Sequence, residues 1–132
     1  MTVIGNDELG VIGAFHDCTG LTSVVIPESV VELYRSSFEN CPDLKTVVIK
    51  AKLKSVDTEV FMDCTSLETV TLPAGIGKFK NGDYGYPTAF KNCTALKTIY
   101  VPAKKADYYK KRLPKELHDK IVELPAEKKA KK

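Results

Sequence analysis

The chain has 132 residues, 43% of them hydrophobic and 28% charged, with a formal net charge of +3. That suffices for one domain with its own core and is short for two. No apolar run approaches the roughly 18 residues of a membrane span, which excludes membrane insertion as a reading, and Met1–Gly10 lacks the basic start and long apolar middle of a secretory signal.

The charge is uneven: residues 1–102 hold 9 basic and 12 acidic side chains, residues 103–132 hold 11 and 5. With only Arg35 and Arg112 and no tryptophan, the basic excess lacks the arginines and stacking rings of a nucleic-acid surface. It reads as a solvated terminal run.

In chain order, Leu9 and Ile12 resemble the last arm of a shortened unit, so residues 1–14 read as a truncated N-terminal repeat. The pattern Phe-x-x-Cys-x-x-Leu-x-x-(Val/Ile)-x-(Ile/Leu/Val) then starts at Phe15, Phe38, Phe61 and Phe90. The first three starts are 23 residues apart and the fourth follows after 29. Four registered copies make residues 15–102 a stacked repeat, in which no single unit can bury its own apolar set.

Each unit has three arms. The spacing from Phe to Cys puts both on one side of a single helical or 3₁₀ turn. A β-branched stretch follows (Ser23–Ile26, Thr46–Ile49, Thr69–Leu72, Thr98–Val101), alternating with period two as a short strand does, with Val24 and Ile26 inward and Ser23 and Val25 outward. Apolar residues three apart (Val30 and Leu33, Leu53 and Val56, Ile76 and Phe79) return the chain to the next Phe. Lys80–Thr88 (KNGDYGYPT) carries six extra residues with turn chemistry and two tyrosines, an insertion loop over 80–88. Lys105–Arg112 predicts a helix of about two turns with Tyr108 or Tyr109 against the last repeat, Pro114 opens another turn, and Ile121–Leu124 a closing strand. Residues 103–125 thus read as a C-terminal helical cap and 126–132 as a disordered basic tail. The N-terminal edge is left uncapped, open to self-association or to a further unit.

Cys18, Cys41, Cys64 and Cys93 share one repeat position. Rungs about 4.8 Å apart give a column of parallel side chains, whereas a disulfide needs Cβ atoms about 3.8 Å apart leaning together. The four read as buried thiols, and a column cannot converge on a metal. Neither a metal nor a cofactor is expected. His16 falls where other units have Glu39, Met62 and Lys91, an outward site, and His118 lies among charges. With no cleft, nucleophile pair or phosphate-binding loop, an enzyme is not expected.

What remains is surface. Ser23, Thr46, Thr69 and Thr98 form an outward hydroxyl column. Val25, Val48, Thr71 and Tyr100 form a more apolar one, and Pro27, Lys50, Pro73 and Pro102 edge the sheet. The second column and Tyr84 and Tyr86 of the loop are the candidate partner-binding residues, for a protein or glycan ligand.

The Leu-x-x-Val-x-Ile core resembles that of leucine-rich repeats, but the Asn or Cys three residues later is replaced by Ser29, Lys52, Gly75 and Lys104. With Ala-, Ser- or Val-Phe ahead of x-x-Cys-x-x-Leu and Ile-Pro closing the first strand, the chain resembles the BspA-like leucine-rich repeat family over about Leu9–Pro102. The resemblance implies an α/β repeat solenoid, a curved right-handed coil of short parallel strands and short helical or 3₁₀ turns. It also implies an exported or cell-surface bacterial protein that binds host or matrix partners, a non-enzymatic interaction module. The alternative is a structural spacer or stalk segment with no ligand of its own.

Overall fold

A computed structural model describes residues 2–4, 15–81 and 87–125. The strands are β1 (Thr2–Ile4), β2 (Ser23–Ile26), β3 (Val30–Leu33), β4 (Thr46–Ile49), β5 (Ser55–Val56), β6 (Thr69–Thr71), β7 (Thr98–Val101) and β8 (Ile121–Glu123). One short helix, α1 (Ala106–Lys110), and a 3₁₀ helix (Lys115–Lys120) separate the last two.

The strands form two parallel sheets, ordered β2-β4-β6-β7-β8 and β1-β3-β5. In the first, register follows the repeat: Val24 pairs Val47, Val47 pairs Val70, and Val70 pairs Ile99. Like residues therefore lie over like, and the inward positions Val47, Ile49, Val70, Ile99 and Val101 are buried. The second sheet is the arm that the sequence shows only as apolar residues three apart. Leu33 pairs Val56, and isolated bridges carry the ladder to Ile76 and Phe79. Its rungs shrink from four regular residues in β3 to two in β5 and single bridges at Ile76 and Phe79, too few for an alternating pattern to be visible.

The third side is a ladder of turns. Cys18, Cys64 and Cys93 each donate a backbone N–H three residues back to the repeat Phe, at 3.2 to 3.3 Å. The next residues then enter a second such turn, Leu44 to Cys41 and Leu67 to Cys64. Within the first turn of each unit, just before the Cys, stands a residue with positive φ: Asp17 at 62°, Asn40 at 58°, Asp63 at 63° and Asn92 at 63°. Asp and Asn tolerate this left-handed conformation better than other side chains. It aims their N–H groups along the stack, so that Asp17, Asn40 and Asp63 donate to Glu39, Met62 and Lys91 of the next unit at 2.8 to 3.0 Å. Side chains add Asn40 Nδ2 to Asp17 Oδ1 at 2.6 Å and Asn92 Nδ2 to Asp63 Oδ1 at 2.9 Å.

The core runs through this frame as files. Phe15, Phe38, Phe61 and Phe90 stack with centroids 5.1, 5.3 and 5.5 Å apart and planes within 9°. All four thiols are free. Three of them donate to the carbonyl of the preceding unit's Phe: Cys41 to Phe15, Cys64 to Phe38 and Cys93 to Phe61, at 3.1 to 3.2 Å. A thiol fits here because it is compact, apolar in bulk and still carries a weak donor for a buried carbonyl.

Ile4 pairs with Leu33, so the last-arm register ahead of Phe15 is occupied by β1. Leu9 and Ile12, read from sequence as that arm, lie outside the described residues. The register has a numerical consequence. Eleven positions separate Ile4 from Phe15 and Phe79 from Phe90, against five between Leu33 and Phe38 and between Val56 and Phe61. Aligned this way, Asn6, Gly10 and Ala14 match Asn81, Gly85 and Ala89. The first connection is thus lengthened like the fourth.

At the other end, Tyr109 is fully buried and its hydroxyl donates to the Pro73 carbonyl. Tyr108 donates to the Ile76 carbonyl at 2.9 Å. Pro114 precedes the 3₁₀ helix, whose Leu117 is buried, and β8 adds a parallel strand to β7. Residues 126–132, read as a disordered tail, lie outside the described residues.

Candidate functional site

The outward apolar column is assembled by strand register. Val25 of β2 lies beside Val48 of β4, Val48 beside Thr71 of β6, and Thr71 beside Tyr100 of β7. Val25 is 56% exposed, while Val48, Thr71 and Tyr100 are half-buried by their neighbours in the sheet. β8 extends the column by one residue that the sequence reading missed, Val122, paired with Tyr100 and 45% exposed. Its signal was weak, because β8 belongs to no repeat and only the closing apolar run Ile121–Leu124 hinted at it. The result is one strip across five strands, flanked by the column of Ser23, Thr46, Thr69 and Thr98.

The proline column does not behave as a uniform rim. Pro27 and Lys50 are exposed, but Pro73 is buried, since Tyr109 lies against it. Tyr84 and Tyr86 lie outside the described residues. The chain on either side of them is brought together by an antiparallel bridge between Asn81 and Pro87. Their placement relative to the sheet column therefore forms no part of the site's geometry.

The histidines hold polar contacts. His16 Nδ1 is 2.8 Å from Asp17 Oδ2 and its Nε2 is 3.8 Å from Glu39 Oε1, with 19% of the side chain exposed. It is less open than an ordinary outward position, because the left-handed Asp17 folds its carboxylate back toward the ring. His118 Nε2 lies 3.0 Å from the Leu113 carbonyl and tethers the 3₁₀ helix.

Electrostatics in the thiol file follow burial and the contact between neighbouring thiols. Desolvation pushes the Cys93 thiol up to about 12. Cys41 and Cys64 titrate as a coupled pair, in which their mutual contact and burial hold the second proton well above the usual thiol range. Among the described residues, no group of three His, Cys, Asp or Glu is placed to hold a metal ion. No described helix is long and apolar enough to cross a membrane.

The sequence that builds these registered strands, stacked Phe rings and Cys file matches the family model described as BspA type leucine rich repeat region, in six copies over residues 9–110. Comparison with curated proteins and with solved structures finds no match. The matched span includes the four Phe-led units, part of the segment ahead of Phe15 and helix α1. Over most of its length, then, this chain belongs to the BspA type leucine-rich repeat family.

Proposed function

We propose that the chain is a non-enzymatic interaction module that binds a protein or glycan at a bacterial cell surface, through the outward column of its five-stranded sheet together with Tyr84 and Tyr86. Leucine-rich repeats of this type are protein-interaction modules, generally non-enzymatic, and typically surface-associated. The observation that carries the reading is the continuity of Val25, Val48, Thr71, Tyr100 and Val122 across neighbouring strands. Isolated exposed aliphatics are ordinary, whereas Val25 and Val122 stand open at the two ends of a column joined through half-buried Val48, Thr71 and Tyr100, which supports a contact surface. In this reading the array over 15–102 coils as a right-handed solenoid, residues 103–125 cap it, and the loop over 80–88 supplies adaptable tyrosines.

A second reading, a spacer or stalk segment, is favoured by the front of the sheet. β2 has no strand partner on its outer side among the described residues, and Phe15 is 41% exposed where Phe38 and Phe61 are buried. Another unit, or a second copy, could continue the stack there.

Binding to panels of glycans and matrix proteins separates the two. Val25→Ser with Tyr100→Ser, and separately Tyr84→Ser with Tyr86→Ser, should each weaken a ligand of the wild-type chain by about tenfold or more. No ligand for the wild type, or unchanged affinity in both variants, would leave the spacer reading standing.

A further inference from the structure

The structure assigns a second ligand site, for an acidic sugar unit, to the cleft between the Gly77–Phe79 arm and the chain that follows α1. This deepens the interaction-module reading but uses a different surface from the β2–β8 column. The cleft has a volume of about 420 Å³, and Lys78, Asn81, Pro87, Lys111 and Arg112 contribute to its lining. Small-molecule sites span roughly 300–1,000 Å³, so the space suits one compact group rather than a long chain.

Its charge is one-sided. Among the described residues, three cations and no carboxylate line the cleft. Ion pairs of Arg and Lys lie elsewhere, Arg35 with Glu59 at 3.3 Å and Lys80 with Asp57 at 3.6 Å, and many surface lysines among the described residues stand without one. Lys78, Lys111 and Arg112 have no such pair among the described residues. Lys78 and Lys111 are also exposed, so neither is needed to hold the fold.

Arg112 is the fixed member. Its Nε donates to the Ile76 carbonyl at 3.1 Å and Nη1 to the Tyr108 carbonyl at 2.9 Å, while the guanidinium lies 3.6 Å from the Tyr108 ring centroid. These contacts staple the segment after α1 to the repeat. They use two of the five guanidinium N–H groups and orient the rest. What a staple alone does not require is the convergence of two more lysines on the same cleft. A half-buried cation without a carboxylate partner is favourable ground for an oxyanion, and charge-assisted bonds to a preset fork are the stronger kind.

The walls favour a sugar over a peptide. Phe79 and Leu113 lie beneath the surface at 4% and 5% exposure, leaving no open apolar socket for a peptide anchor. The chain at the cleft's end is already closed by the Asn81–Pro87 bridge, so that edge offers no strand for peptide addition. The Asn81 amide and two mobile ammonium groups instead suit hydroxyls around a carboxylate or sulfate.

The test starts from the protein with its terminal lysines neutralised (K128Q, K129Q, K131Q, K132Q). Its binding to a sulfated oligosaccharide, a uronate oligosaccharide, a neutral oligosaccharide and polyglutamate is measured by calorimetry at low and raised salt. We expect salt-weakened binding of the sulfated or the uronate sugar, whichever binds naming the group recognised. Lys78→Glu with Lys111→Glu should cut that affinity by about tenfold or more at an unchanged melting temperature. Arg112→Lys, keeping the charge and losing the fork, should weaken it too. Val25→Ser with Tyr100→Ser should leave it intact. The proposal is overturned if neither acidic sugar binds, if polyglutamate binds as tightly, if the lysine pair makes no difference, or if the sheet variant abolishes binding. Failure of the sheet variant alone to affect other ligands bears only on the function proposed above.

Discussion

The Tyr109 hydroxyl donates to the carbonyl of Pro73, 36 positions earlier, and the ring between them has no exposure to solvent. That contact joins the segment after the last repeat to the strand end of the third unit. Tyr109→Phe removes only the hydroxyl and leaves a buried carbonyl short of a donor, a loss of about 1–3 kcal/mol. Tyr109→Ala empties the site as well and should cost about 3–5 kcal/mol. Urea unfolding of the two variants checks the order, and equal losses would mean that the hydroxyl contributes nothing.

The same tyrosine gives stability a dependence on alkaline pH. Burial first, then the neighbouring Tyr108, raises its pKa above the usual phenol value, with Arg112 opposing. The neutral form is therefore favoured in the folded state. Its contribution is complete below the unfolded phenol value of about 10 and is lost as pH rises from there toward the folded value. Urea midpoints should fall between about pH 9 and pH 11, less steeply in Tyr109→Phe. Parallel slopes would show that another group controls the fall.

Position along the aromatic file should set the cost of breaking it. Phe61 has ring neighbours on both sides and no exposure, so Phe61→Ala should cost about 3–5 kcal/mol. Phe15 stacks on Phe38 and is 41% exposed, so Phe15→Ala should cost less than half as much. Comparable values by denaturant titration would contradict the placement of Phe15 at an open end.

Thiol labelling reads the same gradient. Cys18 is half-buried while Cys64 is fully enclosed. In the native protein Cys18 should alkylate first, and Cys64 and Cys93 only at the rate of unfolding. Four groups should react in denaturant without reductant. Fast native labelling of Cys64 would break the file.

Gly77 marks where two rungs approach closely. Its N–H donates to the Leu53 carbonyl at 2.9 Å, and a Cβ there would lie 2.6 Å from the Lys54 carbonyl oxygen. Gly77→Ala should cost about 1–3 kcal/mol, while Gly75→Ala, whose Cβ would meet only the Tyr108 hydroxyl at 3.4 Å, should cost less. A harmless Gly77→Ala, measured by thermal melting, would mean that the rungs slide apart.

Much of this architecture was legible because every repeat residue has counterparts in other units. Phe15, Phe38, Phe61 and Phe90 announced one file, and the alternation in Ser23–Ile26 and its equivalents named the faces of one sheet. The second sheet was not visible as strands, since Ser55–Val56 and the single bridges at Ile76 and Phe79 are too short to carry a period. Nor was β1, because a bulge between Thr2 and Val3 and the long connection to Phe15 shift it out of the repeat's own register. The Asp17, Asn40, Asp63 and Asn92 column escaped the sequence reading, because its left-handed backbone appears only when the turns are built. The cation cleft left no trace in the pattern. Lys78 and Lys111 come from parts of the chain that the fold alone brings together.

The parallel stacking of Phe15, Phe38, Phe61 and Phe90 makes the molecule a ruler graduated in whole units. Excising or duplicating one 23-residue stretch would return each surviving ring to a neighbour of the same kind, shifting the two ends by one rung of about 4.8 Å. Evolution, or an engineer, can therefore set the distance between whatever is held at either end without composing a new interior each time.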